Sequence, residues 1–156
     1  DEFVPLRREV EILRRYMEIQ SIRLSARCRF EVALPPELED CLVPKMILQP
    51  IVENAVLHGL DGVEDGVVWV QVRAVEGNTL RISVTDNGRG LPPELVGPYV
   101  RSSEPAGRSH LWLYNVDTIL KKHYGPDYGL YLDRRRDGPG TEVTATLPLR
   151  KEEDPC

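Results

Sequence analysis

Leu80-Arg81-Ile82-Ser83-Val84-Thr85-Asp86-Asn87-Gly88-Arg89-Gly90 is the stretch whose reading fixes the fold class. Leu80, Ile82 and Val84 alternate with polar residues, the period-two pattern of a half-buried strand. The strand runs straight into Asp-Asn-Gly-x-Gly, so a carboxylate stands at its end with glycines immediately after it. Upstream, Val68, Val70, Val72 and Ala74 alternate in the same way, and Gly77-Asn78 between the two runs reads as a hairpin turn. Downstream, Leu130 and Leu132 mark a strand, Gly138-Pro139-Gly140 a turn, and Val143, Ala145, Leu147 and Leu149 a last alternating strand. A strand is also expected from Arg29 to Leu34, where Phe30, Val32 and Leu34 alternate before Pro35-Pro36 stops them. Strands joined by such short turns form a mixed or mainly antiparallel sheet.

Three helices complete the pattern. From about Val4 to Leu24, the residues Leu6, Val10, Leu13, Met17 and Leu24 form a four-three seam interrupted by Gln20, with a second apolar strip of Ile12, Tyr16 and Ile19 beside it. From about Lys45 to His58, Ile47, Leu48, Ile51, Val52 and Ala55 make a core face, and Pro50 lies near the start, where a missing N–H costs least. Leu113, Val116, Ile119 and Leu120 mark the third, ended by Tyr124-Gly125-Pro126. Between Asn87 and Ser109 there is little periodicity but many glycines and prolines, the mark of a long loop. The fold class that follows is α/β: a two-layer sandwich with a mixed, mainly antiparallel sheet covered on one face by helices.

Composition narrows the function. With 156 residues the chain holds one domain with a real core. Its formal net charge of -5 does not favour a nucleic-acid partner or an anionic membrane surface. No apolar run approaches the roughly 18–20 residues of a bilayer span, and no signal-peptide pattern opens the chain. Cys28, Cys41 and Cys156 are odd in number and far apart, so neither a disulfide framework nor a zinc site is expected, and the setting reads as reducing and cytoplasmic.

Three segments carry chemistry. In the second helix Glu53, Asn54 and His58 interrupt apolar residues, and Asn54 and His58, four apart, share a face. An asparagine carboxamide is a neutral oxygen ligand suited to Mg²⁺ beside phosphates, although the same residue also serves to satisfy a buried backbone group. Asp86, at its strand end, can accept a hydrogen bond from an exocyclic amine such as that of adenine, and Gly88 and Gly90 allow close backbone approach to a ligand. Asp-Asn-Gly is equally an ordinary turn. Asp137-Gly138-Pro139-Gly140-Thr141 places a hydroxyl at the opening of the last strand and on its own says only hairpin.

Taken together, the segments VPKMILQPIVENAVLHG (43–59), RISVTDNGRGLP (81–92), LYNV (113–116) and GPGTEVTATLPL (138–149) resemble the GHKL nucleotide-binding superfamily, most closely the LytS-type sensor histidine kinases. YMEIQSIRL (16–24) is similar to the helix leading into the domain in that family, so the resemblance runs from about Leu6 to Leu149. It implies an ATP-binding catalytic domain that transfers the γ-phosphoryl group of ATP to a histidine on a separate upstream domain. By the same resemblance Asn54 is the Mg²⁺ ligand, with Glu53 and His58 in the same box and Glu53 and Asn54 the catalytic pair. Asp86 reads the adenine amine, Gly88 and Gly90 are the glycines of that box, and Thr141 helps hold a water beside adenine. Asn115 opens the helix after a flexible ATP lid, which corresponds to residues 91–109. The implied organisation is a linker helix over residues 1–26, the ATP-binding catalytic domain over 27–150 and a tail over 151–156. The implied partners are an upstream histidine-bearing helical domain of the same protein, a response regulator reached through it, and a second copy in a homodimer. The implied location is the cytoplasmic side of a membrane-anchored sensor.

Two departures matter. Where the family usually reads Gly-Ile-Gly-Leu before the asparagine, this chain has His110-Leu111-Trp112-Leu113, and side chains at the first and third positions add bulk where backbone amides cradle phosphates. Leu57 stands where a lysine is common. One alternative reading is therefore a pseudokinase-like interaction module. Another is a GHKL ATPase, but the water-activating glutamate of such enzymes stands four residues before the asparagine. That place is Pro50, and Glu53 points about 100° away around the helix.

Overall fold

The computed structural model describes residues 2–23, 28–56, 63–100 and 111–151. Eight strands and three helices follow in the order β1 (Phe3–Pro5), α1 (Leu6–Arg23), β2 (Cys28–Ala33), β3 (Leu42–Pro44), α2 (Leu48–Asn54), β4 (Gly66–Val75), β5 (Thr79–Asp86), β6 (Gly97–Pro98), α3 (Leu111–Tyr124), β7 (Gly129–Arg134) and β8 (Thr141–Pro148). Six strands make one sheet in the order β2-β4-β5-β8-β7-β6. Only β2 and β4 run parallel; every other neighbouring pair is antiparallel. The expected α/β sandwich is the observed one.

Strand alternation separates the faces. Val68, Val70 and Val72 of β4, Leu80, Ile82 and Val84 of β5, and Val143, Ala145 and Leu147 of β8 are all buried in one cluster with residues of the three helices. The other face carries Trp69, Gln71 and Arg73 of β4 and is polar between strands: the Ser83 and Thr144 hydroxyls lie 3.3 Å apart. A sheet with one apolar face and one wetted face is what the alternating sequence specifies.

The first helix begins two residues later than expected. Phe3–Pro5 is instead a short strand paired antiparallel with β3, a strand that lacks alternation in the sequence. The first N–H groups of α1 are satisfied by backbone, with Leu6 donating to Cys41 O at 2.8 Å and Arg7 to Glu39 O at 2.9 Å. Leu6, Leu13 and Met17 of its seam are buried in the same core as the sheet, and Val10 is buried as well. Gln20, which looked like an interruption, is buried with them. In the second strip Tyr16 is half-buried, whereas Ile12 and Ile19 face outward. Leu24 lies outside the described residues.

The second helix starts later than expected from about Lys45, and residues 57 and 58 of the expected span lie outside the described residues. Met46 sits in the left-handed region, with φ of 66°, so regular helix starts only at Leu48. After Asn54 the chain widens into a π-type turn at Ala55 and Val56. The long loop after Asp86 is also less irregular than expected in its first part. Pro93–Leu95 forms a 3₁₀ turn, β6 pairs with β7, and buried Tyr99 donates its N–H to Leu130 O at 2.8 Å. At the same strand, buried Asp117 ties α3 to β7. Its Oδ1 accepts from Leu130 N at 2.9 Å while Oδ2 holds the Lys121 ammonium at 2.7 Å.

Candidate functional site

Asp86 is the last residue of β5 and continues the parity of Leu80, Ile82 and Val84, so its side chain lies on the helix-covered face. It is 5% exposed. A buried carboxylate must be compensated. Here the Gly88 N–H donates to its Oδ1 at 2.8 Å, and the backbone N–H of Thr141 donates to it as well. Burial pushes the Asp86 carboxyl above the usual aspartate range; the two N–H groups and the nearby Arg135 guanidinium pull it part of the way back.

Thr141 opens β8 directly opposite Asp86 in the ladder and on the same face. Gly140 precedes it with φ of 145°. A Cβ there would fall inside van der Waals contact with the Asp86 carbonyl oxygen and 3.0 Å from Arg135 Cδ. Gly90, with φ of 84°, comes to the same place: a Cβ on it would lie 3.2 Å from Gly140 O. The Asp86–Gly90 segment and the Gly138–Thr141 turn are thus pressed together backbone to backbone, which no residue larger than glycine permits.

Asn87 fastens this corner to β4. Its Oδ1 accepts from Val67 N at 2.8 Å, its Nδ2 donates to Asp65 O at 3.1 Å, and its own N–H donates to Val67 O at 3.3 Å. Arg135 closes the far side, its guanidinium 4.7 Å from the Trp69 ring centroid and its N–H donating to Gly140 O at 3.0 Å. A depression of about 540 Å³ opens beside Trp69, Gln71, Arg135 and Glu142. It belongs to the polar face, on the other side of the sheet from the Asp86 carboxylate.

The structure therefore brings Asp86, Gly88, Gly90 and Thr141 together. Asn54 is half-buried at the last residue of α2. Beside it Glu53 accepts from Gln49 Nε2 at 2.9 Å and so is engaged on its own helix. Asn115 is exposed in α3, the helix that packs against α2. His58, Leu57 and His110 lie outside the described residues, as does the lid from 101 onward. At the departure from the family pattern, Leu111 and Trp112 have helical backbone, a conformation open to any L-residue. Asn87, Arg135 and Gly140 were not singled out from sequence. Only Gly140 left a signal there, as the last glycine of a turn entering a strand opposite Asp86.

Among the described residues no group of three or more histidine, cysteine, aspartate or glutamate side chains could hold a metal. Asn54 offers one neutral amide oxygen, a donor of the kind that Mg²⁺ takes next to phosphates while keeping most of its waters. Asp86, with two backbone donors already placed and lone pairs remaining, suits a neutral amine donor.

A mixed sheet with a buried strand-end carboxylate, a glycine corner and an asparagine-bearing helix on the same side defines a GHKL-type nucleotide-binding domain. Residues 40–151 match the family described as histidine kinase-, DNA gyrase B- and HSP90-like ATPase, and the chain belongs to that family. It is 30% identical over 152 residues to the sensor histidine kinase YesM of Bacillus subtilis, covering 97% of this chain and 25% of YesM. It is 27% identical over 150 residues to the sensor protein LytS of the same organism, covering 95% of this chain and 25% of LytS. The chain thus spans about a quarter of the length of these curated relatives. Among solved structures it matches the mycobacterial sensor histidine kinase MprB with a TM-score of 0.65 at 24% identity, covering 96% of this chain and 98% of that one. It also matches the histidine kinase ThkA in complex with its response regulator TrrA, with a TM-score of 0.67 at 18% identity, covering 97% and 42%. These structural likenesses bear on the fold, and the fold is that of a histidine kinase catalytic domain. No helix among the described residues is long and apolar enough to cross a membrane.

Proposed function

We propose that this domain binds ATP with Mg²⁺ and presents the γ-phosphoryl group to a histidine on a separate helical domain upstream in the same protein. A response regulator then receives the phosphoryl group through that domain. The observation that carries the reading is Asp86, a buried carboxylate at a strand end whose two backbone donors leave it able to accept from an adenine amine. Thr141, which pairs with it across the ladder, is the residue proposed to hold a water at the same base. Gly88 and Gly90 let the backbone come close to the nucleotide, and Gly140 holds the corner in shape.

Asn54 is the candidate Mg²⁺ ligand, with Glu53 and His58 in the same helical box and Asn115 on the neighbouring helix as further nucleotide contacts. When bound, Mg²⁺ supplies neutralisation of phosphate charge. The protein's own contribution is positioning and a set of fixed donors, which is most of what phosphoryl transfer needs. Hydrolysis is the weaker reading, because a proline occupies the position of the water-activating base and Glu53 is held by Gln49. The resemblance further supports a homodimer in the full protein and a cytoplasmic placement beneath a membrane-anchored sensor.

Isothermal calorimetry of ADP tests the site. Asp86→Asn replaces a charged acceptor, and losing such a hydrogen bond weakens binding by about 10- to 150-fold. Equal affinities for wild type and Asp86→Asn would remove Asp86 from the base-binding role.

A further inference from the structure

α1 carries one charged side chain into the core. Glu9 is 3% exposed, on the same helix side as Leu6, Leu13 and Met17. Its carboxylate accepts the backbone N–H groups of Met46, Ile47 and Leu48. These are the donors at the start of α2, which a helix cannot satisfy by itself. No side chain of α2's own N-cap residue, Ile47, serves them. The left-handed turn at Met46 precedes the helix at this point, and Lys45 lies close enough to offset part of the charge. The cap of α2 is therefore supplied from another helix.

α2 is seven residues long and ends on Asn54. At 1.5 Å per residue, its two ends are about 9 Å apart. Leu48, Ile51 and Val52 are buried along it, so both ends are held by the same packed face.

We propose that Glu9 is a positioning residue, a clasp through which α1 sets the placement of α2 and hence of Asn54, making α1 the lever by which the rest of the protein adjusts the Mg²⁺-phosphate side of the site. The part of this inference that concerns Mg²⁺ rests on the reading of Asn54 given above. Burial drives the Glu9 carboxyl above the usual glutamate range despite three backbone donors and Lys45. Glu9→Gln keeps the shape of the side chain while removing its charge and one of its two acceptor oxygens.

Amide hydrogen exchange on the nucleotide-free chain, wild type against Glu9→Gln, tests the clasp. The variant should unfold cooperatively like wild type. Exchange at Met46, Ile47 and Leu48 should quicken by about 10-fold or more, the loss expected when donors to a charged acceptor are released. The acceleration should continue through Ala55 and Val56, just past the far end of α2, with the β4, β5 and β8 amides unchanged. Acceleration that stops at Leu48, or that spreads evenly through the sheet, overturns the proposal. A second measurement needs no variant. Coupling is reciprocal, so adding ATP with Mg²⁺ to wild type must slow exchange at Met46–Leu48, and binding without that slowing also overturns it. If wild type binds no nucleotide, the reading of the site fails, while the exchange pattern of the free chain still decides whether the clasp exists.

Discussion

Gly140→Ala is the substitution whose effect the structure fixes most tightly. Two penalties apply. Holding an L-residue at φ of 145° costs about 1–3 kcal/mol by itself. The new methyl also collides with the Asp86 carbonyl oxygen, which is backbone and cannot swing aside. The two strand ends must part by on the order of 1 Å, and overpacking of that kind adds about 1–3 kcal/mol. Gly97 separates the two terms, because its φ of 130° imposes similar strain while a Cβ there meets nothing within 4 Å. Urea unfolding of both alanine variants should show Gly140→Ala the less stable by about 1–3 kcal/mol. For a domain of this size that is about 2–4 °C in Tm per kcal/mol. ADP affinity should fall with Gly140→Ala and hold with Gly97→Ala, since only the former displaces Asp86 from Thr141. Equal destabilisation by the two substitutions would refute the claim that backbone contact at this corner, rather than the sign of φ, requires glycine.

Two further outcomes are expected. Asn54→Ala should leave Mg²⁺-free ADP binding unchanged but reduce the Mg²⁺-dependent gain in ATP affinity by about 5-fold, the worth of one neutral ligand contact; equal Mg²⁺ dependence in calorimetry would take Asn54 out of the ion's coordination. The raised carboxyl of Asp86 means that the folded chain binds its proton more tightly than the unfolded chain, so this group's contribution to stability is present below about pH 3.8 and lost as pH rises through the folded value. Measured by urea unfolding from acid to neutral pH, the stability advantage of wild type over Asp86→Asn should shrink with rising pH, and an advantage that grows would show the carboxyl to be depressed instead.

What the sequence discloses and what it hides have physical reasons. The alternation in β4, β5 and β8 is legible because one face of each is packed and the other is wet, so burial writes a period of two into the residues. Asp86 is legible because a carboxylate ends that alternation. β1 and β3 are not, since three-residue strands that each end on a proline carry no period. The second helix reads as starting too early because apolar spacing continues through Ile47, while the backbone at Met46 turns left-handed, a choice that no side-chain pattern reports. Glu9 looks like one more charge on a surface helix. Its burial depends on residues 46–48, which are 37 to 39 positions further along the chain, arriving with three N–H groups for it to accept. Asn87 and Arg135 are likewise defined by what they touch across the sheet.

The most direct test of the account supplies the missing reactant. The chain is incubated with γ-labelled ATP and Mg²⁺, alone and with the proposed histidine-bearing helical domain added in trans, and phosphate is followed as acid-labile phosphohistidine. Transfer should appear on the added domain, should depend on Asp86 and Asn54, and should not appear on this chain alone, whose steady hydrolysis should be slow. His123, the one histidine among the described residues, stacks edge-on against Phe3 with ring centroids 4.8 Å apart and belongs to the domain's own packing rather than to an acceptor helix. Rapid hydrolysis by the isolated chain, or nucleotide binding with no transfer to the added domain, would contradict the account.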